Sequence, residues 1–121
     1  MPAREAKPKV ESPLQKSLNA ISDRLAGSSV LKDGRVTFRT SGAGGGDLHV
    51  VAEKGRIRYV TGEDRTPPLV EIIGDAKQIA GLLAGGKDAR KRFLAGGFRV
   101  RGDLRYLSDL ALELGLIDTP L

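Results

Sequence analysis

At Gly34 the apolar residues of this chain change their spacing, and that change constrains the fold more than any other feature. Before it, Leu14, Leu18, Ile21 and Leu25 recur at the period of a single helix face. After it, Val36 and Phe38 alternate with Arg35, Thr37 and Arg39, the period of a strand with one dry and one wet side. An amphipathic helix followed by half-dry strands calls for one layer of each packed together.

The boundaries of these elements are written in turn and cap chemistry. Ser12-Pro13-Leu14-Gln15 offers an N-cap serine, a proline at the first helical position and a reciprocating glutamine, so a helix begins here. Gly27 is expected to end it in a left-handed turn. Ser41 to Asp47, with four glycines, reads as a hairpin loop into a second strand near Leu48 to Glu53, and Lys54-Gly55 as a tight turn into a third near Arg56 to Val60. Gly62 to Pro67 is a turn-rich connection, and Leu69 to Ile73 forms a fourth strand. Asp75 caps a short helix carrying Ile79, Leu82 and Leu83, stopped by Gly85 and Gly86. A second short helix is expected from about Asp88 to Leu94, ending at Gly96-Gly97, then a fifth strand from Phe98 to Arg101. Asp103 caps a last helix with an apolar stripe of Leu104, Leu107, Leu110, Ala111 and Leu114, which Gly115 closes.

The order predicts an α+β domain, one sheet with its helices packed on one face. At 121 residues the chain suits a single core, placed at residues 12–121. Met1 to Glu11, with two prolines, mixed charges and almost no large apolar side chain, is expected to be a disordered tail.

Composition removes several chemistries. With no cysteine, disulfide frameworks, thiolate nucleophiles and sulfur-ligated zinc are excluded. His49 is the only histidine, so it is expected at the surface, and no metal site and no cofactor are predicted. No serine, histidine and aspartate arrangement or carboxylate pair stands out, which makes an enzyme the weakest class. Tryptophan is absent and aromatic residues make up 4% of the chain, against base stacking and hence against nucleic acid as a partner. Gly42 to Asp47 and Gly85-Gly86-Lys87 lack the Gly-Lys-Ser/Thr of a phosphate loop and are read as turns. No stretch approaches the length of a membrane span and no signal peptide is visible, so a cytoplasmic, soluble protein is expected.

The run Phe93-Leu94-Ala95-Gly96-Gly97-Phe98-Arg99-Val100-Arg101-Gly102-Asp103, with Gly85-Gly86 before it and a leucine-rich helix after it, resembles the C-terminal signature of the type-two sterol carrier protein family. The specific likeness covers about Leu69 to Leu116, and a weaker one begins near Gly34. Where many members carry an aspartate before the fourth strand, this chain has Pro67-Pro68-Leu69, so no ligand contact is carried over from that position. The resemblance implies a five-stranded mixed sheet with helices on one face, and an apolar cavity between them that binds a fatty acyl, isoprenoid or sterol-like ligand without catalysis.

For such a cavity, the inward parity of the strands and helices offers Phe38, Val50, Tyr59, Ile72, Leu83, Phe98, Val100, Leu107, Leu110 and Leu114 as ligand-binding residues. The same side chains would equally fill a solid core. A second class of function rests on the opposite parity: Arg35, Arg39, Arg58, Arg99 and Arg101 share the outward side of the strands, where they offer themselves to a phosphate or nucleotide, or to an acidic protein partner. Glu53 and Glu71 have the same parity, so a salt-bridged solvated face is the plainer expectation. With a formal net charge of +5, transient contact of the last helix with an anionic membrane is a further expectation.

Overall fold

The computed structural model describes residues 13–84, 91, 93 and 96–120. Among these residues the elements with described bounds run in the order α1 (Pro13–Ala26), β1 (Gly34–Ser41), β2 (Gly46–Glu53), β3 (Arg56–Thr61), β4 (Val70–Asp75), α2 (Ala76–Leu83), β5 (Phe98–Gly102) and α3 (Leu104–Glu113). The expected N-terminal tail, the Ser12 cap and Gly85-Gly86 lie outside the described residues. Of the expected helix from Asp88 to Leu94, only Lys91 and Phe93 are described, and both are helical.

The five strands form one mixed sheet in the order β3-β2-β1-β4-β5. β1, β2 and β3 are a meander of antiparallel hairpins, β4 runs parallel to β1, and β5 returns antiparallel to β4. The turn at Lys54-Gly55 has both residues at positive φ, +51° and +80°, the two-residue hairpin geometry that matches the twist of its strands. Helix starts follow the expected chemistry: the Asp75 carboxylate accepts from the Gln78 amide, and that of Asp103 from the Tyr106 amide. Gly27 departs from expectation: it lies outside the positive-φ glycines, and α1 instead closes through the Gly27 amide donating to Asp23 O.

All three helices lie on one side of the sheet, and the core forms between them. It joins Leu14, Leu18, Ile21 and Leu25 of α1, Phe38, Leu48, Val50, Val70 and Ile72 of the strands, Ile79 and Ala80 of α2, and Tyr106, Leu110 and Leu114 from α3 and the residue after it. Ser17 of α1 donates to Ala80 O, and Arg24 to Leu114 O, which ties α1 to both of the other helices. The stripe of α3 is shifted from the expected one. Leu104 is the one large apolar residue exposed among those described, and Tyr106 takes the buried position, its hydroxyl accepting from the Lys32 amide. A first-turn residue next to the Asp103 cap points away from the sheet, so membership of the leucine periodicity did not bury Leu104.

The other side of the sheet is not an open surface. To reach β4 from the edge strand β3, residues 62–69 cross over β2 and β1. The Gly62 carbonyl meets His49 Nε2 at 2.8 Å, Asp64 pairs with Arg35, and the Leu69 amide donates to Arg35 O. Under this strap Thr37 and His49 are wholly buried, so the expectation of a surface histidine is corrected. His49 Nε2 donates to the Gly62 carbonyl, which leaves Nδ1 to accept from the Thr37 hydroxyl at 2.8 Å; the buried ring has both nitrogens satisfied.

Candidate functional site

Between the sheet and the helices is a half-enclosed apolar pocket with two joined lobes. Each lobe encloses about 70 Å³, and the two share Phe38, Ile72, Leu83, Leu107, Ala111 and Leu116. Strand alternation makes the floor: Phe38 of β1 stands opposite Ile72 of β4, Val36 of β1 stands opposite Val50 of β2, and all four share one parity and line the pocket. Helical periodicity makes the roof, from Leu18, Ile21 and Leu25 of α1, Leu82 and Leu83 of α2, and Leu107, Leu110 and Ala111 of α3.

Of the ten side chains expected to meet a ligand, Phe38, Val50, Ile72, Leu83, Leu107, Leu110 and Leu114 line the pocket, and Phe98 joins them in the second lobe. Tyr59 and Val100 pack against the core instead, and the Tyr59 hydroxyl donates to Leu18 O at 3.2 Å. Several lining residues lie outside the expected site, Leu31, Ala52 and Ile79 among them, and three sets are instructive. The face of α1 was read as a helix stripe without a destination. Leu116 and Ile117 follow Gly115, where the chain was expected to be spent, and Tyr106 was hidden in a leucine-rich helix. The apolar pair beyond Gly115 is the signal that was legible, since Gly115 at φ +76° turns the chain back and the Leu116 amide bonds to Ala111 O.

The lining carries almost no polar function. Among the described residues only Tyr106 and Arg35 bring polar side chains to the wall. Burial pushes the Tyr106 phenol above its ordinary range, so it stays neutral at physiological pH. Arg35 touches the rim but turns its guanidinium to the other side of the sheet, where Nη1 lies 3.1 Å from Asp64 Oδ2, an ion pair out of line for a hydrogen bond. Among the described residues no nucleophile and no acid–base pair faces the cavity, and no three metal-ligating side chains cluster.

The outward arginines separate into two groups. Arg35 and Arg39 are engaged: Arg35 by Asp64 under the strap, Arg39 by Glu71 through Nε and by Asp47 at 2.8 Å through Nη1. The hydrogen bond to Glu71 leads the causes that raise the Arg39 pKa, which fixes its charge further. Arg58, Arg99 and Arg101 are exposed and form no ion pair among the described residues. The five do not converge on one binding centre.

No family model matches the sequence, and no curated protein matches it significantly. Solved structures do match. The sterol carrier protein domain 2 of Helicoverpa armigera superposes with a TM-score of 0.70 at 16% identity, over 93% of this chain and 94% of that one. This is the sterol carrier protein 2 fold. A UbiJ-SCP2 ubiquinone synthesis protein gives a TM-score of 0.63 at 17% identity, covering 81% of this chain and 89% of that one. The same fold is found as part of a larger chain: the sec-alkyl sulfatase PisA1 from Pseudomonas sp. matches with a TM-score of 0.65 at 16% identity, over 84% of this chain but only 16% of the sulfatase. The parallel β1–β4 pair, the strap and the helices on one face therefore form a sterol carrier protein 2 framework, reached here by a sequence with little identity to these relatives. No helix among the described residues is long and apolar enough to cross a membrane.

Proposed function

We propose that this protein binds and carries a small hydrophobic ligand in the pocket between sheet and helices, without catalysing a reaction on it. The observation that carries the reading is the pocket's lining, two adjoining aliphatic hollows between sheet and helices that side chains leave unfilled. Each lobe encloses about 70 Å³ of unfilled space, small beside a typical ligand pocket, and its described wall is almost wholly aliphatic. An aliphatic hollow of that size that packing leaves unfilled forfeits dispersion contacts, and a bound hydrocarbon restores them. The sterol carrier protein 2 fold supports the same reading, since its named members include carriers of sterols. The absence of acid–base or nucleophilic side chains from the described lining favours holding a ligand over transforming it. The arginine face is the weaker basis for function, because two of its five members are already neutralised.

The test is to purify the protein under gentle conditions and compare its native and denatured masses, extracting any excess for lipid identification. A stoichiometric lipid, or one acquired on incubation with mixed lipids, is the expected result. A polypeptide that stays bare in both experiments overturns the carrier reading.

A further inference from the structure

The strap side of the sheet carries a hollow of its own. It encloses about 240 Å³ at the end of the sheet where β1 begins and β2 finishes, and its wall includes Asp33, Arg35, Val51, Glu53, Arg58 and Thr66. Strand register sets the charges out in two rows. Val51 of β2 is opposite both Arg35 of β1 and Arg58 of β3, so two arginines flank an apolar floor, their backbones two interstrand steps apart, roughly 10 Å at about 4.8 Å each. Glu53 is two residues farther along β2 on the same face, roughly 7 Å at about 3.4 Å per residue, and Asp33 is two residues before Arg35. Arg35 is held in place: its side chain is 11% exposed, and Nη1, 3.1 Å from Asp64 Oδ2, has no hydrogen-bond partner among the described residues. Asp33 is anchored through Oδ1, which accepts from the Lys54 amide at 2.9 Å. Arg58 and Glu53 are exposed. Two cationic and two anionic side chains therefore share one wall, and that balance selects what fits. A plain anion drawn to the arginines is repelled by the carboxylates one row away, and a plain cation meets the reverse. A molecule with an oxyanion at one end and an ammonium group at the other is attracted by both rows.

We propose that this hollow binds a small zwitterion of amino-acid size, its carboxylate over Val51 between Arg35 and Arg58 and its ammonium group toward Glu53 and Asp33. The volume, just below the range of about 300–1,000 Å³ of drug-sized sites, sets the size of the ligand. The spacing of the rows suits charged ends separated by several bonds, as in an ω-amino acid. The hollow is on the opposite face of the sheet from the apolar pocket, so its failure leaves the carrier reading untouched.

The test follows the backbone amide shifts of the full chain by NMR, at neutral pH and constant ionic strength, during titration with 4-aminobutyrate, butyrate and butylammonium. 4-Aminobutyrate is expected to shift the amides of Arg35, Val51 and Arg58, with a half-saturation about tenfold below that of either singly charged analogue. A response to butyrate or butylammonium as strong as that to 4-aminobutyrate, or no response to any of the three, overturns the proposal. Arg58→Gln and Glu53→Gln alter exposed side chains and are expected to keep the fold. The first weakens 4-aminobutyrate about fivefold. The second also weakens 4-aminobutyrate but strengthens butyrate, because the carboxylate that repelled the anion is gone. If Glu53→Gln moves both ligands in the same direction, or Arg58→Gln leaves 4-aminobutyrate unchanged, the two rows do not act as a pair and the inference falls.

Discussion

Gly102 sits at φ +99°, and a Cβ there would lie 2.4 Å from Leu69 O, with the Val70 Cα also in contact. Both the backbone angle and the space forbid a side chain, because the turn from β5 into α3 passes directly over the start of β4. Gly102→Ala is therefore expected to destabilise the protein by about 2–4 kcal/mol, read as a lower urea midpoint with an unchanged slope. Gly81 is the contrast. It lies on the exposed side of α2 with nothing within 4 Å of an added Cβ and no positive φ, so Gly81→Ala is expected to stabilise by about 0.5–1 kcal/mol in the same titration. The two glycines look alike in sequence. What separates them is a contact between Gly102 and Leu69, thirty-three positions apart in the chain, which no local pattern announces.

At the scale of elements, the parts governed by local chemistry were legible: the alternation in β1, the Lys54-Gly55 turn, and the caps at Asp75 and Asp103 each follow from residues within a few positions of one another. The strap of residues 62–69 was not. It reads as a turn-rich connection, and only the strand order reveals that it crosses two strands, buries His49 and takes Arg35 out of solvent. Inward parity correctly placed Phe38, Val50 and Ile72, whereas Leu104 shows that helical periodicity alone leaves the edges of a stripe undecided. The strap also carries a pH dependence. The Thr66 amide, donating to the Asp64 carboxylate at 2.8 Å, and then the nearby Arg35 lower the Asp64 pKa from 3.8 to about 2. A carboxyl held below its unfolded value contributes stability that is present above about pH 4 and is lost as the pH falls toward 2. Asp64→Asn is expected to be less stable than the parent at pH 7, with the two thermal midpoints converging as the pH approaches 2. Parallel curves across that range would show that the strap is held by other contacts.

For the whole molecule, the unfilled pocket sets stability against ligand binding. A 121-residue domain has a modest core, and this one leaves two lobes of that core unpacked, so the empty protein lacks contacts that a solid interior would make. A ligand that enters only the folded state returns that stability by mass action, about 2.7 kcal/mol at a hundred times its dissociation constant. Saturation with a long-chain lipid is expected to raise the melting temperature by on the order of 10 °C. Leu107→Phe separates the two contributions. Its ring occupies the junction shared by both lobes, so the empty variant should melt no lower than the empty parent, while the rise on adding lipid disappears. Leu107→Gln places an amide in the same wall and is expected both to lower the melting temperature and to shrink the lipid-induced rise. If the parent and Leu107→Phe gain equally from lipid, the stabilising ligand is not in the pocket, and the hollow is a packing defect that this fold tolerates.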